Sequence, residues 1–345
     1  MSNRDGGTLL CSYINQITTE KFLRLHEHAR NRLLLLCKEL LKSSIQNIET
    51  IFYNLMRNIV PSDMSQRNQT LAENILNILI EYRLCYDSNV PLLQYALVKY
   101  LRLIADLMPP SRLMMKAVKY CHCLLTERFG DFLGIGRDLI RLLQQVCRIT
   151  EFEQLWKTML NNPSSLSPKF NLIQVMHTRT HRRFIRLLVT FDIEKKLNFL
   201  ISQVRFGSQR RYQDWFQRQY LNSQDNQLIR TDLIRFICNS IHPSNEEMAM
   251  GMVPRWAIIG WILNSCPQNV SLPWSRMALF YDWLMFDIQD SNNNMIMDLE
   301  PGMLVMYFSL KNHPGITAAL LDFLCRVGII DYNSIKGIVY RYCML

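Results

Sequence analysis

The chain has 345 residues, with 39 Lys or Arg against 29 Asp or Glu, a formal charge of +10. Apolar residues make up 49%, no low-complexity tract is present, and with only 12 Gly and 12 Pro the composition suits long helices and argues against a turn-rich sandwich or barrel. The most apolar stretch, Trp256 to Leu263, is far short of the ~20 residues a membrane-spanning helix needs, so no membrane span is expected. The start, MSNRDGG, carries no apolar h-region, so no secretory signal is expected. The ten cysteines, among them Cys37, Cys147, Cys238 and Cys325, then read as reduced thiols buried in helices, in a cytosolic or nuclear protein. The sequons at Asn68 and Asn269 read as chance matches.

In chain order, Phe22, Leu25, Ala29, Leu33, Leu36 and Leu40 step by three or four and predict one long amphipathic helix. Ser111 after Pro109-Pro110, and Ser167 before Pro168, predict helix starts. Phe132, Ile135, Leu139, Leu142 and Val146 repeat the helical period. Thr150 with Glu153, and Ser244 with Glu247, read as capping boxes, in which each side chain reaches a backbone N–H orphaned by the helix start. Ile229, Leu233, Phe236 and Ser240 mark a further helix, and no stretch alternates with a two-residue period. About fourteen to sixteen helices joined by short loops predict an all-α, HEAT-like solenoid of stacked antiparallel helix pairs. The break at NNPSSLS suggests an N-terminal helical-repeat segment over 1–162 and a second over 163–326, with a tail over 327–345.

No catalytic constellation is visible. Gly134-Ile135-Gly136 sits in a helical pattern with no strand before it, which excludes a dinucleotide loop. Cys121-His122-Cys123 lacks a second ligand pair for zinc, and His26 and His28 read as solvated on a polar face. With no nucleophile beside an oriented base, the chain is expected to be a non-enzyme without cofactor or metal.

Charge is uneven. From His177 to Tyr220 there are ten Lys or Arg against three Asp or Glu. Arg182, Arg183, Arg186, Arg205, Arg210 and Arg211 are the candidate contacts for an acidic partner, nucleic acid or protein; a merely solvated face is the competing reading. Tyr212, Trp215, Phe216 and Tyr220 follow at helical spacing. They either stack on exposed bases or belong to the core, and the core is preferred for Trp215 and Phe216.

The strings QVRFGSQRRYQDWFQRQYL (Gln203 to Leu221), DLIRFICNSIHPSNE (Asp232 to Glu246), VPRWAIIGWIL (Val253 to Leu263), MALFYDWLMF (Met277 to Phe286) and MDLEPGMLVMYFSLKNHPGITAALLDFLCR (Met297 to Arg326) resemble the Integrator complex subunit 3 family, known in the SOSS complex as SOSS-A. FEQLWKTMLNNPSSLSPKF (Phe152 to Phe170) fits as well. The resemblance implies a nuclear, non-enzymatic α-helical scaffold. It implies three kinds of partner: SOSS-B, an OB-fold protein that binds single-stranded DNA; the small protein SOSS-C; and other Integrator subunits. DNA would be contacted mainly through the OB fold. Roles in DNA-damage signalling, small nuclear RNA 3′-end formation and transcription attenuation follow from it. Direct binding of single-stranded nucleic acid through the basic cluster is the alternative. After Arg326 the chain departs from the family pattern, so only the family's N-terminal part is expected here. The apolar face of Ile316, Leu320, Phe323, Leu324 and Val327 then predicts an end prone to self-association.

Overall fold

A computed structural model describes residues 3–107, 111–222, 228–244, 246, 249–267, 271–285 and 296–328. Among them are eighteen α-helices and no strand. The helices are α1 (Asn3–Gln16), α2 (Glu27–Lys42), α3 (Ile48–Arg57), α4 (Gln66–Glu81), α5 (Arg83–Tyr86) and α6 (Val90–Asp106). Then come α7 (Arg112–Arg128), α8 (Arg137–Val146), α9 (Thr150–Asn161), α10 (Leu172–His177), α11 (Arg182–Leu187) and α12 (Phe191–Ser202). The series ends with α13 (Arg210–Phe216), α14 (Ile229–Ser240), α15 (Arg255–Asn264), α16 (Ser271–Leu284), α17 (Ile296–Asn312) and α18 (Pro314–Gly328). They stack as an all-α helical solenoid, as the periodicity predicts, with 3-10 and π turns at several joints. No described helix is long and apolar enough to cross a membrane.

Local chemistry explains the helix starts. The Ser111 hydroxyl accepts from Met114 N–H at 3.1 Å and caps α7 as expected. Asn89 caps α6 ahead of Pro91, and Thr190 caps α12. Two expected caps take other forms. Thr150 is the first residue of α9 rather than its cap, and Ile149, which cannot cap, precedes it. The Ser167 hydroxyl accepts from Lys169 N–H within a turn, and Asn171 caps the helix that follows. Glu247, the other half of the second expected capping box, lies outside the described residues.

Two predicted helices are broken. Phe22–Arg24 is a short 3-10 turn, and Leu25 is extended (ψ 143°), so the helix starts afresh at Glu27. Its buried face is Leu33, Leu34, Cys37, Leu40 and Leu41, while Leu36 is exposed. The Phe132 to Val146 stripe is split where Gly136 adopts φ +78° between a 3-10 turn and α8. A Cβ at Gly136 would come 2.6 Å from the Thr178 carbonyl oxygen, so both conformation and space require glycine.

Helices α6 and α14 are among those enclosed on several sides. α6 packs against α3, α7, α8 and α11, and α14 against α11, α15, α16 and α17. Their apolar residues, such as Leu97, Tyr100, Leu233 and Phe236, are buried, and so are charges on their other faces. With residues of α8 and α16, those charges form one neutral cluster. Arg102 pairs with Asp106 at 2.7 Å and with Asp232 at 2.5 Å. Arg141 pairs with Asp138 at 2.5 Å and lies 3.6 Å from Asp232. Arg235 meets Asp138 and Asp282, both at 2.6 Å, and Arg137 meets Asp282 at 3.1 Å. All eight side chains are at most 5% exposed. Burial raises the Asp138 and Asp282 carboxyls, but the facing guanidiniums outweigh it and hold both below the usual range. The string Asp-Leu-Ile-Arg occurs at 138–141 and again at 232–235, and the two copies interlock.

Lys99 lies beside this cluster, buried, and donates to the carbonyls of Ile59 (2.9 Å) and Leu187 (3.2 Å). Burial, reinforced by Arg102, pushes its ammonium down to about 7. Of the cysteines singled out in the sequence, Cys37, Cys147 and Cys238 are buried, whereas Cys325 is exposed. Asn68 is also buried, its amide bonded to the Val60 and Asp63 backbone, and Asn269 lies outside the described residues.

Candidate functional site

The basic segment folds as three short helices whose apolar residues anchor them. On α11, Phe184, Ile185 and Leu187 are buried, which turns Arg182 and Arg183 outward. The Tyr53 hydroxyl donates to the Arg183 carbonyl, fixing α11 on α3. Arg186 lies 3.3 Å from Glu194, which also pairs with the buried Arg57. Arg205, Gly207 and Arg210 are exposed around a turn where Gly207 takes φ +98°. That turn is held by Phe206 N–H donating to the Gly251 carbonyl and Val253 N–H donating to the Val204 carbonyl, both at 2.9 Å.

α13 carries the most informative geometry. Phe216 is fully buried, 5.9 Å from Trp261 and 4.7 Å from Tyr220 between ring centres, and it pins the helix to the core. Neighbouring helix residues point about 100° apart, so Trp215 faces outward and is 42% exposed. The core assignment therefore holds for Phe216 and fails for Trp215. The Tyr220 hydroxyl donates to the Asp192 carboxylate, tying the π turn after α13 to the start of α12.

Between α12 and α13 lies a cleft of ≈ 460 Å³. Phe199, Leu200, Tyr212, Trp215 and Phe216 line it, and Lys195, Lys196, Arg211 and Arg218 rim it. Phe199 and Tyr212 meet edge-on at 5.5 Å, and Lys196 Nζ sits 5.2 Å from the centre of the Trp215 ring. Of the six arginines singled out in the sequence, Arg211 lines this cleft, whereas Arg182, Arg183 and Arg186 belong to α11 beside α3. Lys195, Lys196 and Arg218 were not among the six, although the spacing of Lys196 and Phe199 on one helix face was available as a signal. A larger cavity of ≈ 530 Å³ involves α12, α15 and α17, but its buried guanidinium, Arg255, is already held by Glu300 and the Ile241 carbonyl.

Nothing among the described residues gathers three or more His, Cys, Asp or Glu side chains for a metal. Cys121 is buried, Cys123 donates to Glu127 at 2.9 Å, and the His122 ring meets Phe152, so the three side chains diverge.

Comparison with known proteins places the whole arrangement in one family. The family described as Integrator complex subunit 3 N-terminal matches residues 1–338. Integrator complex subunit 3 of Homo sapiens is 46% identical over 340 residues, covering 97% of this chain and 32% of the relative. The Danio rerio protein of the same name is 47% identical over 328 residues, covering 94% and 32%. The Integrator complex subunit 3 homolog of Drosophila sechellia is 44% identical over 354 residues, covering 98% and 33%. The chain thus spans about a third of the length of these curated relatives. With a match running almost from end to end, this chain belongs to the Integrator complex subunit 3 N-terminal family.

Proposed function

We propose that this chain is a non-enzymatic scaffold of the Integrator complex, acting in the nucleus in small nuclear RNA 3′-end formation and transcription attenuation. In the same proposal it joins SOSS-B, the OB-fold protein that binds single-stranded DNA, and SOSS-C into a complex that senses single-stranded DNA for the DNA-damage response. The observation that carries this reading is the family match over residues 1–338, whose relatives are named as Integrator subunits. The fold agrees with it, because a stack of helices offers long surfaces for other proteins. DNA contact is assigned to the OB-fold partner, since OB folds supply a stacking platform and backbone groove.

Direct binding of single-stranded nucleic acid is the second reading, favoured by the exposure of Trp215 and Tyr212 among cations. One titration separates the two. The isolated chain is expected to bind a labelled single-stranded oligonucleotide weakly, and adding the OB-fold partner should tighten binding sharply. Tight binding without that partner, falling steeply with salt, would overturn the first reading in favour of the second.

A further inference from the structure

The α12–α13 cleft combines two features that single out one kind of occupant. Its floor is aromatic and aliphatic, and its rim carries Lys195, Lys196, Arg211 and Arg218, with Asp214 the nearby acidic group on α13. An exposed apolar floor inside a cationic rim is complementary to an anionic segment bearing a large apolar side chain. We propose that this cleft docks an acidic linear segment of a protein partner, which inserts one bulky apolar side chain between Phe199, Tyr212 and Trp215. The proposal rests on reading the chain as a scaffold, and it narrows the basic cluster to the part that does the docking.

The geometry favours a peptide over a nucleic-acid strand. Bases stack on open aromatic faces. Here Lys196 lies over the Trp215 ring, and Phe199 and Tyr212 are engaged edge to face. A base would have to displace the lysine, whereas an inserted aliphatic or aromatic side chain packs against the ring edges and the lysine stem. The cleft is also a compact pocket of ≈ 460 Å³, the size for one anchoring side chain and its neighbours rather than a track along a strand. On the partner, carboxylates on either side of the anchor would meet the four cations, which steers encounter and orients the segment.

The test uses the full chain and fluorescein-labelled short Asp/Glu-rich peptides that differ only in their central residue, Trp or Ala, read by fluorescence polarisation. The Trp peptide is expected to bind, and the Ala peptide to bind at least about tenfold more weakly, the loss that follows removal of an aromatic anchor from a pocket. Lys196→Glu/Arg218→Glu and, separately, Trp215→Ala should each weaken the Trp peptide by about tenfold or more, while Arg182→Glu/Arg183→Glu on α11 should leave it unchanged. The charge-reversed residues are not in the core, so their variants read out binding even if Trp215→Ala misfolds. Equal binding of both peptides, no binding, indifference to the cleft variants, or displacement by a thymidine oligonucleotide that binds more tightly would each overturn the proposal. Capture of the OB-fold partner by the same preparations is scored in parallel. If that partner is captured and the peptide is not bound, this inference fails alone; if the partner is not captured, the scaffold reading fails and the peptide result stands by itself.

Discussion

Replacing Arg235 by Met removes the guanidinium that joins Asp138 to Asp282. The eight-residue cluster then carries a net negative charge in a place where no side chain is more than 5% exposed. Among the described residues, Asp138 keeps only Arg141 as an ion-pair partner, and Asp282 keeps only Arg137. Breaking a buried pair in this way costs about 3–5 kcal/mol, a large part of a typical stability of about 5–15 kcal/mol. With a urea slope of about 3 kcal/mol/M the midpoint should fall by more than about 1 M, read by far-ultraviolet circular dichroism. Asp138→Leu alone should lose a comparable amount. Both changes together leave every remaining charge a partner: Arg141 with Asp232, Arg102 with Asp106 and Asp232, and Arg137 with Asp282. The double variant should therefore cost less than the sum by about 1–3 kcal/mol. Strict additivity, or a single-variant loss under about 1 kcal/mol, would refute the claim that these charges act as one neutral unit.

Lys99 makes stability depend on pH. Its folded value is pushed down to about 7, so above that pH the unfolded chain holds more protons, and stability should rise by up to about 1.4 kcal/mol per unit from about pH 7 towards the ordinary lysine value of about 10.4. Lys99→Met should flatten that rise in urea titrations across the window. Ser111→Ala should cost about 1 kcal/mol by uncapping α7, measured as a shift in the unfolding midpoint. Gly302→Ala would bring a Cβ 2.8 Å from Phe280 and 3.1 Å from Trp283, and a loss of about 1–3 kcal/mol is expected from calorimetry or denaturant unfolding. Met303, Tyr307, Phe308 and Leu310 on α17 and Leu321 on α18 are exposed, and sedimentation should show self-association that Tyr307→Lys/Leu310→Glu reduces.

Helices with one wet face were legible, because their apolar residues recur at the helical period. α6 and α14 were less so, since a helix enclosed on several sides has no single stripe. The spacing of Ile229, Leu233, Phe236 and Ser240 marks one side of α14, but Arg230, Asp232, Arg235 and Asn239 are buried on the others. The sequence did hold a clue to their partners in the repeated Asp-Leu-Ile-Arg string, whose i, i+3 charges share a helix face. Gly136 was hidden because a 3-10 turn keeps the apolar spacing while one left-handed residue redirects the chain.

In the candidate site the basic segment was visible from composition, but proximity in sequence is not proximity in space. Arg183 and Arg211 lie on different helices with different neighbours, and only contacts made by α3 and α12 decide which cations frame a pocket. Trp215 and Phe216 are adjacent, and a helical period does not say which of two neighbours turns inward when both are aromatic. The answer comes from Trp261 on α15, which packs against Phe216.

The interlocked charges also bear on how the chain is made. A simple solenoid can add one unit at a time, because each touches only its neighbours. Here Asp138 waits for Arg235, 97 positions later, and Arg137 for Asp282, 145 positions later. As the polypeptide leaves the ribosome, the first half emerges with Arg102–Asp106 and Arg141–Asp138 able to pair locally, while Arg137 lacks its carboxylate and Asp138 the second of its two guanidiniums. Burying Arg137 before Asp282 exists would strand a charge in an apolar interior, so this face of α8 is expected to stay hydrated until α14 and α16 arrive. Closure of the centre then has to wait for residues 232–282, and a ribosome stalled before residue 232 is expected to hold a nascent chain with an unsealed middle.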